Sequence, residues 1–550
     1  MNVSEAIVAT LEYIGVDTVF AGSGQANADM LFALDASKKI HPVVSRNEQA
    51  ACFGAVGYAM FSDKLGVCMG VGGPGAFNFF SGLAVAYSDS LPVLAVTAYV
   101  PDAYTGKGDL GETSGRYRTP DSRRMFAACT KGTFTIEDPA HACVVLEQAI
   151  NLAFEGRPGP VHIDVPYDLL DAEVRNYRKI ELNVRPVLAA EKKLRQFARV
   201  LDEALRNEQK VLLLLGHGVT RSHAEAEALA FVNRLQVPFI TTMDGKGVLP
   251  EDHPLSMGMT GVSGDKSAHQ VLREADIVLA IGNSFAKWST FKFEESIYAD
   301  KTLMHINIDP GEINRVYAAD YAMASDAKPA IAGILSELDA LQPPTATWKP
   351  IADKHCSQTI DYEEKQCMHP GAMVQVLSRN LPEKAILLGD AGSHMLWLAG
   401  YSLLNKGQNY QNPGVFGPMA VHVNAALGVQ AANPDRRVIC GCGDGDFQMS
   451  GFEMLTAVQH KIPVIWIVFH NGEFNSIKMM HMATFKGEEA FNMWPTPDFS
   501  AVGEACGIRS YRVTKVADFE VALKEALSLN EPVLIDAHVD TVQPPYTMWK

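Results

Sequence analysis

The chain lacks any apolar run of about 18 residues, the length a helix needs to cross a bilayer, so no membrane-spanning segment is expected. Positive charge is in short supply: 47 Lys and Arg stand against 63 Asp and Glu, a formal net charge of −16. That balance argues against nucleic acid or an anionic membrane as a partner. Paired cysteines are also missing. The nine cysteines are scattered, and the one close pair, Cys440-x-Cys442, has no second pair with which to complete a zinc site. They read as small buried hydrophobes in a reducing compartment. Glu5, Glu12 and Asp17 interrupt the first residues where a signal peptide would be apolar, so a cytoplasmic location is expected. Low-complexity tracts and short tandem repeats are absent as well.

What is present is 550 residues, 47% hydrophobic and 20% charged, too much chain for one core. Strand-like and helix-like patterns alternate throughout, which predicts an α/β protein of doubly wound parallel sheets covered by helices. Three domains are expected. Residues 1–172 carry a helix over Val3–Ile14 and strands at Thr18–Phe20, Gly66–Met69, Pro92–Val96 and Pro160–Pro166. A charged connector leads to residues 190–340, with strands at Val211–Leu215, Asp276–Gly282 and His305–Pro310. This central block is Rossmann-like, yet Gly216-x-Gly218 lacks the third glycine of the dinucleotide fingerprint. A Pro-containing stretch around Pro343-Pro344 then opens onto residues 360–550.

The third block holds the most informative stretch, Gly443-Asp444-Gly445-Asp446-Phe447, closed downstream by His470-Asn471-Gly472-Glu473. The β-branched run Arg437–Cys440 precedes it, a helical pattern follows through Phe452, Leu455 and Val458, and Ile462–Phe469 reads as a second buried strand. One β-α-β unit therefore presents hard oxygen ligands at both strand ends: the Asp444 carboxylate, the Asn471 amide oxygen and the backbone near Glu473. That set suits Mg²⁺, which takes few protein oxygens and completes its octahedron with phosphate and water. The glycines admit close approach of a diphosphate, and a helix N-terminus favours its charge.

These residues resemble the signature of the thiamine-diphosphate enzymes, a GDG opening a segment that ends in Asn. Other segments share the likeness. Arg46-Asn47-Glu48-Gln49-Ala50-Ala51 is similar to the family's N/H-E-x-A-A segment, and Gly72-Gly73-Pro74-Gly75-Ala76-Phe77-Asn78 to its G-G-P-G-x-x-N turn. Gly392-Ser393-His394-Met395-Leu396-Trp397 resembles a diphosphate-contacting segment, and Phe416-Gly417-Pro418-Met419 the turn whose bulky residue wedges between the cofactor's rings.

The resemblance implies pyrimidine-binding, central and diphosphate-binding domains in that order. It implies thiamine diphosphate and Mg²⁺ as cofactors, with Asp444, Asn471 and Glu473 at the metal. Pro74, Asn78, Ser393, His394, Gly417, Met419, Gly443, Gly445, Asp446 and Phe474 would lie against the cofactor. Glu48 would hydrogen-bond the aminopyrimidine ring and assist loss of the thiazolium C2 proton. Because Glu48 and Asp444 fall in different domains, the family architecture implies a homodimer or homotetramer with sites between two chains.

Lys246-Gly247-Val248-Leu249-Pro250-Glu251-Asp252-His253-Pro254-Leu255 points to the acetolactate-synthase-like branch of 2-oxo acid decarboxylases and carboligases. In that branch the central domain sometimes holds FAD or ADP, although Asn283–Trp288 departs from the flavin-binding pattern. The expected substrates are small 2-oxo acids and aldehydes or ketones. Decarboxylases of the family place a His pair where this chain has Gly111–Arg118, and an Asp where it has Gln25. Without those proton donors, joining to a second carbonyl gains over release of an aldehyde, and Gln25 is a candidate donor to a substrate oxygen. Arg116 and Arg118 fit either a carboxylate clamp or a solvated loop. Phe474, Met479, Met480 and Trp494 fit an acyl pocket and core packing alike. A lyase of the benzaldehyde-lyase or 2-hydroxyacyl-CoA-lyase kind is the enzyme alternative, and a non-catalytic homologue the remote one.

Overall fold

The computed structural model describes residues 1–363, 366–405, 407–488, 490 and 495–544; Trp494 lies outside them. Its strands form three six-stranded sheets whose neighbours all pair in parallel. The first contains β1 (Thr18–Ala21), β2 (His41–Val44), β3 (Gly66–Val71), β4 (Val93–Tyr99), β5 (Gly132–Thr135) and β6 (Val161–Pro166). The second contains β7 (Val211–Leu215), β8 (Phe239–Thr241), β9 (Ser256–Met259), β10 (Ile277–Ile281), β11 (Thr302–Asn307) and β12 (Tyr321–Ala324). The third contains β13 (Ile386–Gly389), β14 (Asn409–Gln411), β15 (Val438–Gly443), β16 (Ile465–His470), β17 (Arg509–Val513) and β18 (Val533–His538).

The central strands read as unbroken apolar runs because both faces are covered; every residue of β4, β7, β10 and β16 is buried. The first and third sheets share one topology. Their orders are β2-β1-β3-β4-β6-β5 and β14-β13-β15-β16-β18-β17, the same sequence when each is counted from its own first strand. In both, the chain steps to one side after its first strand and to the other after its second. The strand order therefore reverses at β1/β3 and at β13/β15, and such reversals leave a crevice beyond the carboxyl ends of the strands. Gly22 and Gly72 follow β1 and β3; Asp390 and Asp444 follow β13 and β15.

Two helices join these blocks. Glu48–Met60 and Val421–Ala432 are buried along nearly their whole lengths, so neither has a solvent face. Their backbones cross on glycine. A Cβ added at Gly428 would lie 1.8 Å from the Gly54 carbonyl oxygen, and one at Gly57 would lie 2.0 Å from that of Ala425. Both obstacles are backbone, so neither can swing aside. Gly428→Ala should therefore cost about 2 kcal/mol or more of stability, read as a lower midpoint in thermal or denaturant unfolding. An unchanged midpoint would show that the crossing tolerates separation.

The helical pattern expected after the GDG turn is broken into three pieces: Asp444–Ser450, a single 3₁₀ turn at Gly451–Glu453, and Met454–His460. Phe452 and Val458, two apolar positions of that pattern, are exposed. The break has a cause in the first block. Glu453 turns inward, 2% exposed, and its carboxylate accepts the Arg46 backbone N–H at 2.8 Å. Among the described residues no helix is long and apolar enough to cross a membrane.

Candidate functional site

Beyond the carboxyl ends of β13, β15 and β16 lies a cavity of about 260 Å³. Ser393, His394, Gly417, Met419, Gly443, Asp444, Gly445, Asp446, Asn471, Glu473 and Phe474 all line it. Three helices begin at its wall, at Ser393, Asp444 and Asn475, and a helix N-terminus favours negative charge.

Asp444 ties the two strand ends together. Its Oδ1 accepts from Gly445 N at 2.8 Å, and its Oδ2 accepts from Asn471 N at 3.0 Å and Gly472 N at 2.6 Å. Asn471 Oδ1 accepts from Glu473 N at 3.1 Å, which curls the loop so that side-chain and main-chain oxygens share one wall. Asp446 Oδ2 accepts from Gly443 N at 2.8 Å and closes the helix start.

Burial raises the Asp444 carboxyl, against the lowering pull of the Gly472, Asn471 and Gly445 amides. Asp390 is pushed well above the carboxylate range by burial and then by the charge of Asp446. The site thus gathers more negative charge than it can hold by itself. Three polar atoms in its wall are buried with no hydrogen-bond partner: Asp446 Oδ1, His394 Nε2 and Glu473 Oε2. His394 Nε2 comes within 3.1 Å of Asp446 Oδ2, but not in hydrogen-bonding alignment. A hard cation beside a polyoxyanion satisfies such a set: the cation meets the carboxylate and amide oxygens, and the anion meets the imidazole and helix N–H groups. The residues present therefore fit a metal-bound diphosphate.

Met419 and Phe474 close over the glycine of the turn. A Cβ at Gly445 would lie 2.6 Å from Phe474 Cε1 and 3.1 Å from Met419 Cε. The residue after Met419, Ala420, has φ of 64°, a left-handed backbone rare for a residue with a Cβ. Strain of that kind, of order 1–3 kcal/mol, persists where the surroundings force it and is common at functional sites.

Glu48 sits elsewhere. It opens the buried helix that follows β2, capped by Asn47, whose Oδ1 accepts from Ala50 N. Three glycines hem it in. A Cβ at Gly22 would fall 2.6 Å from Glu48 Cγ, one at Gly75 3.1 Å from its Oε1, and one at Gly70 3.7 Å from its Cγ. Its Oε2 accepts from Asn78 Nδ2 at 2.9 Å. The G-G-P-G segment is not the plain turn expected: a short helix runs over Pro74–Asn78 and carries Asn78 to the carboxylate. Pro74 suits its first position, where no N–H is needed. Gln25 is exposed on the loop after β1. Buried Asn27 holds that loop by accepting from Gly24 N and donating to Gly22 O. Glu48, Asn78, Pro74 and Gln25 do not line the Asp444 cavity; every residue that does lies between 370 and 540.

Two supports escaped the sequence reading. Asp390 accepts from Ala391 N through Oδ1 and from His422 N and Val423 N through Oδ2, fastening the Ser393 turn to the helix after Met419. An Asp ending an apolar strand before Ala-Gly was the available signal. Glu453, which anchors the start of the Glu48 helix, gave none, since its partner Arg46 is remote in sequence.

A second cavity, of about 1140 Å³, opens between the three blocks at the reversal of the central sheet, beside Gly216 to Gly218 and Gly282. Arg221 Nε and Nη2, His217 Nε2 and Asp89 Oδ2 are buried there without partners. Burial and then nearby Asp244 push Asp89 up to about 7, while burial and then Arg221 hold His217 down to about 3.

Three family models match the chain. They are the thiamine pyrophosphate enzyme N-terminal TPP binding domain over residues 1–117, the central domain over 198–334, and the C-terminal TPP binding domain over 390–537. The chain is 31% identical to the probable acetolactate synthase large subunit of Methanocaldococcus jannaschii, across 99% of this chain and 93% of that one. It is 30% identical to the probable acetolactate synthase large subunit of Methanococcus aeolicus, across 98% and 92%. To the isozyme 2 large subunit of acetolactate synthase in Escherichia coli K12 the identity is 28%, across 99% and 96%.

Proposed function

The chain belongs to the thiamine pyrophosphate enzymes, in their acetolactate-synthase-like branch, and we propose that it is a Mg²⁺-dependent carboligase that decarboxylates a 2-oxo acid and joins the remaining acyl unit to a second carbonyl. The observation that carries this reading is the cavity at Asp444, which gathers hard oxygens and unpaired buried polar atoms in one lining. Thiamine diphosphate supplies a carbon nucleophile and an electron sink for the carbon that loses CO₂. The chain's own residues do the rest. Asp444, Asn471 and the Glu473 main chain hold Mg²⁺. His394, Ser393 and the converging helix starts hold the diphosphate. Met419 and Phe474 fix the ring geometry. Glu48, steadied by Asn78, holds and returns a proton at the aminopyrimidine ring. Gln25 donates to a substrate oxygen, and loop 111–118, which contains no His, offers the product carbon no ready proton.

Incubation with pyruvate and a panel of 2-oxo acids, with CO₂ trapping, tests this. CO₂ together with a 2-hydroxyketone or acetohydroxyacid product is expected. Cleavage of hydroxyketone or 2-hydroxyacyl donors without CO₂ from any 2-oxo acid would favour the lyase reading instead. FAD or ADP, if carried, belongs in the larger cavity beside Arg157 and Arg221, and a flavin spectrum or nucleotide released on denaturation tests it.

Completion of the site calls for a second chain, so a homodimer or homotetramer is expected in sedimentation, and an active monomer would contradict it. Exposed Leu110 and Tyr117 in the first block, and Val415, Phe416, Met449 and Phe452 in the third, supply apolar surface for that contact. Mg²⁺ affinity should also depend on pH. Because burial raises the Asp444 carboxyl, protons compete with the cation from above the usual carboxylate range. Apparent affinity should fall about tenfold per pH unit below that raised value. Affinity that stays constant as the pH is lowered to about 4, the ordinary carboxylate value, would remove Asp444 from the metal.

A further inference from the structure

Where β16 and β18 end side by side, the register pairs Val468 with Asp536 and His470 with His538. Two imidazoles and a carboxylate therefore meet at the carboxyl-terminal end of the third sheet. His470 Nδ1 lies 2.8 Å from Asp536 Oδ1, and His538 Nε2 lies 3.6 Å from Asp536 Oδ2. One ligand atom from each residue falls within 4.8 Å of the others. We propose that His470, Asp536 and His538 form a second divalent-cation site, selective for a borderline ion of the Zn²⁺ or Co²⁺ kind and separate from the magnesium position.

Four features carry this. Asp536 is 0% exposed, and its Oδ2 has no hydrogen-bond partner among the described residues, so a buried carboxylate oxygen faces the cluster unsatisfied. The spacing suits the ion. Bonds of about 2.0–2.1 Å in tetrahedral array place ligand atoms roughly 3.4 Å apart, and one ligand atom from each of the three residues already lies within 4.8 Å of the others, so small side-chain turns seat the ion. The far nitrogen of His470 is already held, 2.7 Å from Thr496 Oγ1, the kind of outer contact that orients a metal-binding imidazole. The donor chemistry is also distinct, since two nitrogens and one oxygen favour zinc-like ions, whereas the all-oxygen set at Asp444 favours magnesium.

One cation opposes the site. Arg512 Nε donates to His538 Nε2 at 3.3 Å and must turn away when an ion enters. Its side chain is 56% exposed and is also paired to Asp498, toward which it can swing. With three protein ligands, a fourth position is left for water on the His538 side, where the side chain is 18% exposed. His470 directly precedes Asn471, so an ion here fixes the end of β16 and the start of the loop that Asp444 holds.

The test uses metal-stripped full-length protein, reloaded with thiamine diphosphate and excess Mg²⁺, then titrated with Co²⁺. One equivalent should bind and develop the visible absorption of a low-symmetry, nitrogen-containing cobalt site. His538→Gln should weaken that binding at least tenfold while leaving Mg²⁺ and cofactor retention unchanged. Cobalt X-ray absorption on the unmutated protein gives a readout that does not depend on how the variant folds. Imidazole scattering in the first shell supports the site; an all-oxygen shell, or equal Co²⁺ uptake by the variant, overturns it. No arm measures turnover, so failure here leaves the proposed reaction standing, and failure of that reaction leaves this site standing.

Discussion

Replacing Glu48 by Gln is expected to lower turnover by about 10²–10⁴-fold, the range general acid–base assistance contributes, while thiamine diphosphate still binds. Gln keeps the shape, and its amide oxygen can still accept from Asn78 Nδ2, which in the native protein lies 2.9 Å from the carboxylate. The three glycine backbones around the side chain admit no larger group, and Gln requires none. What the amide cannot do is hold and return a proton. The loss should therefore appear in kcat, with cofactor affinity by calorimetry changed little. Activity within twofold of the native value would take Glu48 out of the chemistry.

The second large effect lies in the other half of the site. Asp444→Ala removes the proposed metal ligand and, with it, the acceptor for three backbone N–H groups, at Gly445, Asn471 and Gly472. Each stranded donor costs about 1–3 kcal/mol, so the Asn471 loop should lose its curl as well as its cation. Cofactor and Mg²⁺ should then fail to co-elute with the protein in gel filtration, and activity should disappear even at high cofactor concentration. Asp444→Asn separates the two causes. It keeps an oxygen for some of those amides while removing the charge, so it should recover part of the stability and little of the metal affinity. A holoprotein that survives Asp444→Ala would refute the metal assignment.

Much of this was legible before any coordinates. β15 and β16 announce themselves as apolar runs, and the placement of Asp444 and Asn471 at their ends is set by strand length, a local property. Glu48 and Asn78 were readable through short segments whose glycines leave room around a carboxylate. The rest depends on pairings between distant segments. Nothing near Glu453 in sequence states that it will cap Arg46, so the helix after the GDG turn looked continuous when tertiary contact breaks it. The glycines at 54, 57 and 428 matter only because two helices cross there. His470, Asp536 and His538 become neighbours only because β18, and not the preceding strand β17, lies next to β16, a choice of sheet order that no local pattern encodes. Asp390 falls between these cases: its position at a strand end was visible, but its three amide partners were not.

In the proposed assembly, one site is built from Glu48 of one chain and Asp444 of another. Mixing separately purified Glu48→Gln and Asp444→Ala proteins tests it directly. Each alone has at most about a hundredth of the native activity, but a mixed dimer contains one site with both residues intact. After subunit exchange, verified by native mass spectrometry, activity should return to about a quarter of the native specific value, as expected for one intact site in each mixed dimer when half the dimers are mixed. Mixed dimers that form and remain inactive would show that each chain completes its own site, contradicting the account.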